Sequence, residues 1–219
     1  MRAKEFINEA PLPPDWDPGQ FQQGTTFKSR LAYALDRAKK LGTGSSRVAM
    51  LIEYQGRQTV LKVAKNAKGL AQNEVEASLL SDGYATQLGI LIPMIDYDEK
   101  NPQPHWVHTE LAQKATEKQL CQLMKCQSLG DLTYAARVYG GQVPRKTWQN
   151  VLDALPVTFS ESDLETLEEY ASVLSDLAQS LNVELGDFGR AANWGIYHGK
   201  PVIIDVGLNT DVLKQYYSE

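Results

Sequence analysis

Residues 185–195 read LGDFGRAANWG, and residues 199–207 read GKPVIIDVG. The β-branched run before Asp205 is too short for a helix, so it predicts a buried strand that ends beside that carboxylate. In the first stretch Asp187 precedes Asn193 by six positions, and the residues between the two stretches predict a hairpin turn. Two carboxylates and one amide presented around a buried hairpin form a donor set that suits magnesium and a phosphate.

The composition of the chain limits its partners. Its 219 residues are 42% hydrophobic and 22% charged, which is enough for one sizeable core or two small lobes. The formal net charge of −5 disfavours a nucleic-acid surface or an anionic membrane surface, because such partners select for basic patches. No apolar run approaches the roughly 20 residues of a membrane span, and the charged start lacks a signal-peptide core. We therefore expect a cytoplasmic protein without nucleic-acid or membrane partners.

Three parts of the chain differ in pattern. Residues 1–24 hold four prolines among polar and aromatic residues, which indicates an extended N-terminal arm. Residues 25–112 begin with an amphipathic helical pattern and continue as strands around one further helix, which predicts an antiparallel sheet. Residues 113–219 are mostly helical in pattern and include a long amphipathic helix that leads to Asp187.

The cysteines and two of the histidines receive structural interpretations. Cys121 and Cys126 fall on different faces of one predicted helix at 117–127, so we expect unpaired core thiols and a reducing cytoplasm. His105 and His108 lie in a strand-like run without a cysteine or acid at ligand spacing, which favours packing or surface roles over metal binding.

Lys62 is the most informative charged residue of the N-terminal half. It lies between Leu61 and Val63 in a predicted strand, where an unpaired ammonium would be costly. An edge lysine whose ammonium reaches water is the alternative interpretation. The next predicted helix offers Glu74 near an apolar stripe, so we expect Glu74 to turn towards Lys62 and Glu76 to point elsewhere.

A glycine-containing loop precedes the first predicted hairpin, with GTGSS at 42–46. Its glycines and hydroxyls suit a turn whose backbone amides wrap phosphate oxygens, and a plain surface turn fits the same residues. The loop therefore indicates a phosphate site only in combination with Lys62.

Taken in order, these residues resemble the motifs of the protein-kinase-like superfamily, which includes protein kinases and aminoglycoside phosphotransferases. Six motifs match: a glycine-rich loop, a third-strand lysine, a C-helix glutamate, a hinge, a catalytic loop and a metal-binding aspartate. The glycine-rich loop corresponds to Gly42, Thr43, Gly44, Ser45 and Ser46 with Arg47 and Val48, and the third-strand lysine corresponds to Lys62. The C-helix glutamate corresponds to Glu74, and the hinge to Glu110 to Ala112. The catalytic loop corresponds to Asp187 to Asn193, and the metal-binding motif to Asp205 to Gly207. The start of the chain and the residues around Ser45, Lys62 and Asn193 are also similar to small kinase-like proteins of tailed bacteriophages.

The resemblance implies an α+β fold of two lobes, with an antiparallel sheet and one helix in the N-lobe and a reduced, mostly helical C-lobe. Residues 25–112 would form the N-lobe and residues 113–219 the C-lobe, with ATP and Mg2+ as cofactors. The implied nucleotide-binding residues are Gly42, Thr43, Gly44, Ser45 and Ser46 over the phosphates, Lys62 held by Glu74 at the α and β phosphates, and Glu110 with Ala112 at the adenine. Asn193 and Asp205 are implied to hold magnesium.

The implied chemistry is phosphoryl transfer. Asp187 would orient or deprotonate the acceptor hydroxyl, and Arg190 would neutralise the transferring phosphate. The chain departs from the protein-kinase pattern because Arg47 replaces the third loop glycine, the His-Arg pair before Asp187 is missing, and the spacing to Asn193 is one residue longer. Only twelve residues follow Gly207, so we expect no activation segment and no peptide-docking subdomain.

Two functions from different classes stay open at this point. The first is an ATP-dependent phosphotransferase that acts on a small molecule, on itself or on a partner protein. The second is a catalytically inactive pseudokinase that serves as a phage structural or host-interaction module, with a phage or host protein as its partner. The expected location is the cytoplasm, which means the host cytoplasm or the virion if the protein is phage-encoded.

Overall fold

The computed structural model of this protein describes residues 16–154 and 159–217. Within these residues, no helix combines the length and the apolar composition that crossing a membrane requires. Residues 1–15 of the predicted N-terminal arm lie outside the described part of the chain.

The end of the predicted arm is helical. Helix α1 (Pro18–Gln23) is capped by Asp17, whose Oδ1 accepts hydrogen bonds from two N–H groups of the first turn at 2.8 and 3.3 Å. Proline at the first helical position has the right backbone angle and needs no N–H there. Phe21 is buried and packs edge-on against Trp106, so the extended conformation predicted up to residue 24 is wrong for this segment.

Helix α2 and five strands follow, and they form one antiparallel sheet with α2 packed on its central strand. The elements are α2 (Phe27–Arg37), β1 (Lys39–Thr43), β2 (Arg47–Tyr54), β3 (Arg57–Ala64), β4 (Met94–Tyr97) and β5 (Trp106–Glu110). The strands lie in the order β1-β2-β3-β5-β4, which makes β3 the central strand. Gln55 and Gly56 both have positive φ, at 52° and 76°, which is the backbone of a tight hairpin turn between β2 and β3.

Helix α3 (Ala67–Ser81) crosses from β3 towards β4 and is followed by the short α4 (Gly83–Gln87). Asn66 caps α3 by accepting a hydrogen bond from the N–H of Gly69 at 3.0 Å. Gly69 lies directly on the loop before β2, where an added Cβ would come within 2.1 Å of the Ser46 carbonyl oxygen. Glycine is therefore required there, and α3 is held tightly against that loop.

A second, three-stranded sheet follows from the C-terminal hairpin. It consists of β6 (Gln113–Lys114), β7 (Trp194–Tyr197) and β8 (Lys200–Ile203) in the order β6-β7-β8. The turn between β7 and β8 has positive φ at His198 and Gly199, at 49° and 79°. The buried strand and hairpin predicted before Asp205 are confirmed.

Helices form the rest of the C-terminal half and bury the larger hydrophobic core. They are α5 (Glu117–Met124), α6 (Leu129–Tyr139), α7 (Trp148–Ala154), α8 (Glu161–Leu181) and α9 (Thr210–Tyr217). The apolar faces of α5 to α8 join the second sheet and the buried face of α3 in one core, and a smaller core fills the space between the first sheet, α1 and α2. The predicted α+β class, with an antiparallel N-terminal sheet and a mostly helical C-terminal part, is confirmed.

The two cysteines do not share one helix as predicted. Helix α5 ends at Met124, Lys125 takes a left-handed conformation, and the N–H of Cys126 returns to the carbonyl oxygen of Cys121 at 3.1 Å. Both thiols are buried, and burial raises the pKa of each. A raised pKa keeps a thiol protonated and unreactive, which fits core thiols.

Candidate functional site

Lys62 projects from the central strand of the first sheet, so the edge-lysine interpretation is wrong. Its register neighbours are Ala49 on β2 and Val107 on β5. Its side chain is 10% exposed, and Nζ donates hydrogen bonds to Glu76 Oε1 and to the carbonyl oxygen of Ile204. The ammonium therefore connects the central strand to α3 and to the chain just before Asp205.

The glutamate that pairs with Lys62 is Glu76 and not Glu74. Glu76 is fully buried, whereas Glu74 is exposed. Two positions along a helix correspond to about 200° of rotation, so these two side chains cannot share a face. The buried face of α3 also contains Gln72, Asn73 and Leu80, which lie three or four positions from Glu76 in the helical repeat. The expectation for Glu74 rested on its position near the apolar stripe and on the family motif, and neither identifies this buried face.

Arg47, which stands where the resembled family has a glycine, is buried at the start of β2. Its Nη1 donates to Glu76 Oε2 at 2.5 Å and to Asn73 Oδ1 at 3.3 Å, and its Nη2 donates to Asp205 Oδ1. Arg47, Lys62, Glu76 and Asp205 thus form one network, which we call the charge cluster. No residue near Arg47 in the sequence indicates that it is buried, because its carboxylate partners lie 29 and 158 positions away.

The charges within the cluster stabilise one another. Burial alone would lower the pKa of the Arg47 guanidinium, but the carboxylates of Asp205 and Glu76 outweigh burial and raise that pKa above its ordinary value. Burial alone would raise the pKa of Asp205, but the positive charges of Arg47 and Lys62 hold it below its ordinary value. Arg47 and Asp205 are therefore both charged at neutral pH.

Asp205 and Asn193 lie at the same end of the C-terminal hairpin. Trp194 pairs with Ile203, and the N–H of Ile204 donates to the Asn193 carbonyl oxygen at 2.8 Å. The Asp205 side chain is 50% exposed, and only its Oδ1 is engaged, by Arg47 and by the N–H of Gly207 at 3.4 Å.

This end of the hairpin has donors that fit a hard cation. Asp205 Oδ2 and the amide oxygen of Asn193 accept no hydrogen bond within the described residues, and carboxylate and amide oxygens suit Mg2+. In that same part of the chain, no group of three or more His, Cys, Asp or Glu side chains could hold a metal ion. A divalent cation here would therefore depend on these two side chains together with water and substrate oxygens.

Asp187 lies in the turn that precedes the hairpin. Residues 185–189 and 191–193 form two successive 3-10 turns, which absorb the additional residue of this loop. The amide nitrogen of Asn193 donates to the Asp187 carbonyl oxygen at 2.9 Å, and Trp194 Nε1 donates to the Phe188 carbonyl oxygen at 2.8 Å. The longer spacing therefore does not separate the two residues.

The Asp187 carboxylate accepts no hydrogen bond from the described residues. Its side chain is 19% exposed, and its nearest cation is Arg190, whose Nη1 lies 3.6 Å from Oδ1 and whose side chain is 75% exposed. Burial is the main cause that raises the pKa of Asp187, the Asp205 and Glu184 charges raise it further, and Arg190 opposes them. A carboxylate that is held by no structural hydrogen bond is free to accept one from another molecule.

The glycine-rich loop is a tight turn between β1 and β2 that is anchored from one side. Lys65 Nζ donates to the Gly44 carbonyl oxygen at 2.7 Å and to Thr43 Oγ1 at 3.3 Å, and Ser46 Oγ donates to Gln72 Oε1 on α3. The N–H groups of Ser45 and Ser46 have no acceptor in the described part of the chain.

The two glycines of this loop are not explained by packing within the protein. An added Cβ at Gly42 would meet nothing within 4 Å, and one at Gly44 would approach only the Arg47 carbonyl oxygen, at 3.8 Å. The loop therefore has free space beside it and two unpaired amides.

Glu110 and Ala112 lie where the chain passes from the first sheet to the second. The N–H of Glu110 donates to the Pro93 carbonyl oxygen at 3.0 Å, and its carboxylate pairs with Arg57 at 2.6 Å. Ala112 packs against Gly195, where an added Cβ would come within 2.6 Å of the Ala112 Cβ. The segment between the sheets is therefore in contact with the hairpin that carries Asn193.

Helix α9 returns the chain to α3. The Tyr217 hydroxyl accepts a hydrogen bond from Gln72 Nε2 at 3.2 Å, and Lys68 Nζ lies 3.2 Å from the centre of the Tyr217 ring. Helix α9 is therefore engaged within the chain, on the helix that carries Glu76. Sequence reasoning did not predict this contact.

Comparisons with known proteins give a weak structural likeness. No family model and no curated protein sequence matches the chain. The chain is similar to a solved structure of aminoglycoside phosphotransferase APH(4)-Ia, at 16% identity and a TM-score of 0.35, over 83% of this chain and 71% of that one.

Two structures of thermostable mutants of the same enzyme give similar values. One is a ternary complex with AMP-PNP and hygromycin B, at 16% identity and a TM-score of 0.33, over 77% of this chain and 65% of that one. The other is a ternary complex with ADP and hygromycin B, at 13% identity and a TM-score of 0.32, over 84% and 71%. Likeness at this level does not identify an activity.

Proposed function

We propose that this protein is an ATP-dependent phosphotransferase of kinase-like architecture. The observation that supports this most directly is the charge cluster, in which Lys62 and Arg47 are buried next to Asp205, whose side chain is half-exposed. Buried cations with a carboxylate open to solvent beside them suit a ligand that carries several phosphates and a divalent cation.

The nucleotide phosphates would lie between the glycine-rich loop and the charge cluster. The unpaired N–H groups of Ser45 and Ser46 are donors for phosphate oxygens, and Gly42 and Gly44 leave space for them. Lys62 would bind the α and β phosphates while Glu76 keeps its ammonium in place. The Glu110 carbonyl and the Ala112 amide would bind the adenine edge, as the resemblance implies.

Asn193 and Asp205 would hold magnesium, because they supply the free amide and carboxylate oxygens at this end of the hairpin. When bound, magnesium neutralises charge on the phosphate oxygens. Asp205 remains ionised for this role because nearby cations lower its pKa.

Asp187 would orient the acceptor hydroxyl and take its proton. The acceptor oxygen forms a bond to the γ-phosphorus, the bond from that phosphorus to the β–γ bridging oxygen breaks, and ADP leaves. The proton of the hydroxyl passes to the Asp187 carboxylate, whose raised pKa favours that transfer. Arg190 is exposed and near Asp187, so its side chain can swing to the transferring phosphoryl group.

The acceptor is a small molecule, the protein itself or a partner protein. A nucleotide-binding pseudokinase is the second candidate, and one observation favours it: both cations of the charge cluster are already engaged by protein acceptors. A phage or host protein partner, and a location in the host cytoplasm or the virion, belong to this second candidate as sequence predictions.

Transfer of radiolabelled γ-phosphate, with release to water measured in the same reaction, separates the two candidates. Asp187→Asn should lower turnover by about 100-fold or more, because general acid–base groups contribute that much. Asp211→Asn on α9 is the matched control and should retain full turnover, because Asp211 is an exposed acid outside the site. Nucleotide binding without any turnover by the unmodified protein would contradict the enzyme proposal and leave the pseudokinase.

A further inference from the structure

Arg47 is buried in the charge cluster, and the steps of the proposed phosphoryl transfer give it no role of its own. It is 7% exposed and contacts three side chains, Asn73 and Glu76 on α3 and Asp205 after β8. It thereby joins the glycine-rich loop, the helix and the metal-binding end of the hairpin at a single guanidinium.

The chain after Asp205 is shaped to let Arg47 reach this position. An added Cβ at Gly207 would come within 2.8 Å of Arg47 Nη2, 2.9 Å of the Gln72 carbonyl oxygen and 3.0 Å of the Gln72 Cβ. Only a residue without a side chain fits between the guanidinium and α3. Arg47 therefore occupies a close-fitting place and is not an arginine folded in by chance.

The charge cluster is electrically balanced without any ligand. Lys62 and Arg47 contribute two positive charges, and Glu76 and Asp205 contribute two negative charges. Glu76 has no exposed surface, so solvent reaches the carboxylates of the cluster only at Asp205.

A divalent cation that approaches Asp205 by itself is repelled by the guanidinium already bound to the same carboxylate. The guanidinium is only 7% exposed, so water screens its charge less than it would screen the charge of a surface arginine. A polyphosphate that binds without a cation is repelled by the Asp205 carboxylate, which already accepts a hydrogen bond from Arg47 Nη2.

We infer that Arg47 is a positioning residue that pairs with Asp205 in the free protein and makes the site take a nucleoside polyphosphate and a divalent cation together. Phosphate oxygens replace Asp205 as acceptors of Arg47, and the released Asp205 carboxylate takes the cation. Each ligand removes the obstacle to the other, so their binding is positively coupled. This inference rests on the proposed function in taking the charge cluster as the nucleotide site.

Binding of Mn2+ to the full chain without nucleotide tests the inference, with free Mn2+ followed by electron paramagnetic resonance. Arg47→Gln should bind Mn2+ about tenfold more tightly than the unmodified protein, within the usual range of coupling between sites. Arg30→Gln is the matched control because Arg30 is equally buried and ion-paired, but with Asp98 on the other side of the sheet. It should leave Mn2+ binding unchanged, and adding Asp205→Asn to Arg47→Gln should remove the gain.

The coupling itself is measured by repeating the titration with ADP. In the unmodified protein, Mn2+ should strengthen ADP binding about tenfold or more, and in Arg47→Gln this factor should be several-fold smaller, because the cation still attracts the phosphates directly. Arg47→Lys provides a second variant if Arg47→Gln does not fold, because its single ammonium cannot span Glu76 and Asp205 as the guanidinium does. Its Mn2+ affinity should also exceed that of the unmodified protein.

Equal Mn2+ affinity in the unmodified protein and in a folded Arg47 variant would overturn the inference, whatever the nucleotide does. Failure of the unmodified protein to bind ADP with or without Mn2+ would instead contradict the proposed function. The gain in Mn2+ affinity on replacing Arg47 is read without nucleotide, so the two failures are distinguishable.

Discussion

Two arginines of this protein are equally buried, at 7% exposure, but they belong to very different surroundings. Arg30 on α2 pairs with Asp98, which is itself 3% exposed and also accepts hydrogen bonds from Asn101 at 2.7 Å and from the His105 N–H at 3.2 Å. Arg47 pairs with Glu76 and Asp205, and half of the Asp205 side chain is open to solvent.

The difference separates an ion pair that serves the fold from one that can serve a ligand. At Arg30 every charge is enclosed by protein, so the pair can only fix α2 against the loop between β4 and β5. At Arg47 the Asp205 carboxylate is open to solvent, so an ion from solution can replace the Arg47 guanidinium as its partner. Burial of an arginine therefore says little about function until the exposure of its partner is known.

Replacing Glu76, the carboxylate that binds both cations of the charge cluster, should lower the free energy of unfolding more than any other substitution considered below. Glu76→Gln removes the charge that holds Lys62 and Arg47 and should lower the free energy of unfolding by about 3–5 kcal/mol, as breaking a buried pair does. Glu74→Gln, two positions away on the exposed face of α3, should change it by less than about 0.5 kcal/mol. Urea denaturation of both variants measures this, and equal losses would show that Glu76 does not hold the cluster.

Replacing the aspartate partner of each arginine tests whether the two ion pairs differ in their contribution to stability. Asp98→Asn should lower the free energy of unfolding by about 3 kcal/mol, because it leaves Arg30 buried and unpaired. Asp205→Asn should cost only about 1 kcal/mol, because its side chain is half-exposed and Arg47 keeps Glu76. If Asp205→Asn destabilises the protein as much as Asp98→Asn, the charge cluster is a structural pair like the other.

A buried histidine extends the contrast to pH. His108 is hydrogen-bonded to Thr59 Oγ1 at 2.7 Å, and burial lowers its pKa to about 4 from an ordinary 6.5. As pH falls, His108 binds a proton in the unfolded chain at a higher pH than in the folded protein. Its contribution to the free energy of unfolding is therefore full above pH 6.5 and is lost as pH falls towards 4. The free energy of unfolding should change by no more than about 1.4 kcal/mol per pH unit because of this one histidine.

His108→Gln should flatten the stability curve in that pH window. His198→Asn is the control, because His198 is exposed in the turn between β7 and β8 and asparagine tolerates its positive φ of 49°. Denaturant midpoints taken across the window measure the slope, and an unchanged slope in His108→Gln would contradict this assignment.

Replacing Asp187 should change stability least among these variants, because its carboxylate accepts no hydrogen bond from the described residues. Burial raises its pKa in the folded protein, so its ionised form costs stability at pH 7 and that cost disappears as pH falls below its ordinary value. Asp187→Asn should therefore be more stable than the unmodified protein at pH 7, by about 0.5 kcal/mol, although it loses turnover. A destabilised Asp187→Asn would mean that this carboxylate serves the fold.

Local patterns of the sequence were sufficient for the elements that carry the site. A β-branched run and a short turn predicted the hairpin that presents Asn193 and Asp205, and two apolar runs around a glycine-containing turn predicted the strand that carries Lys62. These features depend on neighbouring residues alone, so they are readable without a structure.

Long-range pairing was not readable in the same way. Glu76 and Glu74 differ only in helical phase, and a motif match by letters does not include phase. Arg47 finds Asp205 across 158 positions, and nothing near Arg47 in the sequence indicates that carboxylate. Phe21 reaches the core because Asp17 and Pro18 start a helix that the proline-rich composition hid.

Thermal stability with and without Mg-ATP shows whether the charge cluster binds a nucleotide. At about 100 times its dissociation constant, a ligand of the folded state adds about 2.7 kcal/mol, which is a readable shift in Tm. The account predicts this shift in the unmodified protein and in Arg30→Gln, and its loss in Lys62→Met and Asp205→Asn. A shift that persists in both site variants, or that is missing from the unmodified protein, would contradict the assignment of the charge cluster as a nucleotide site.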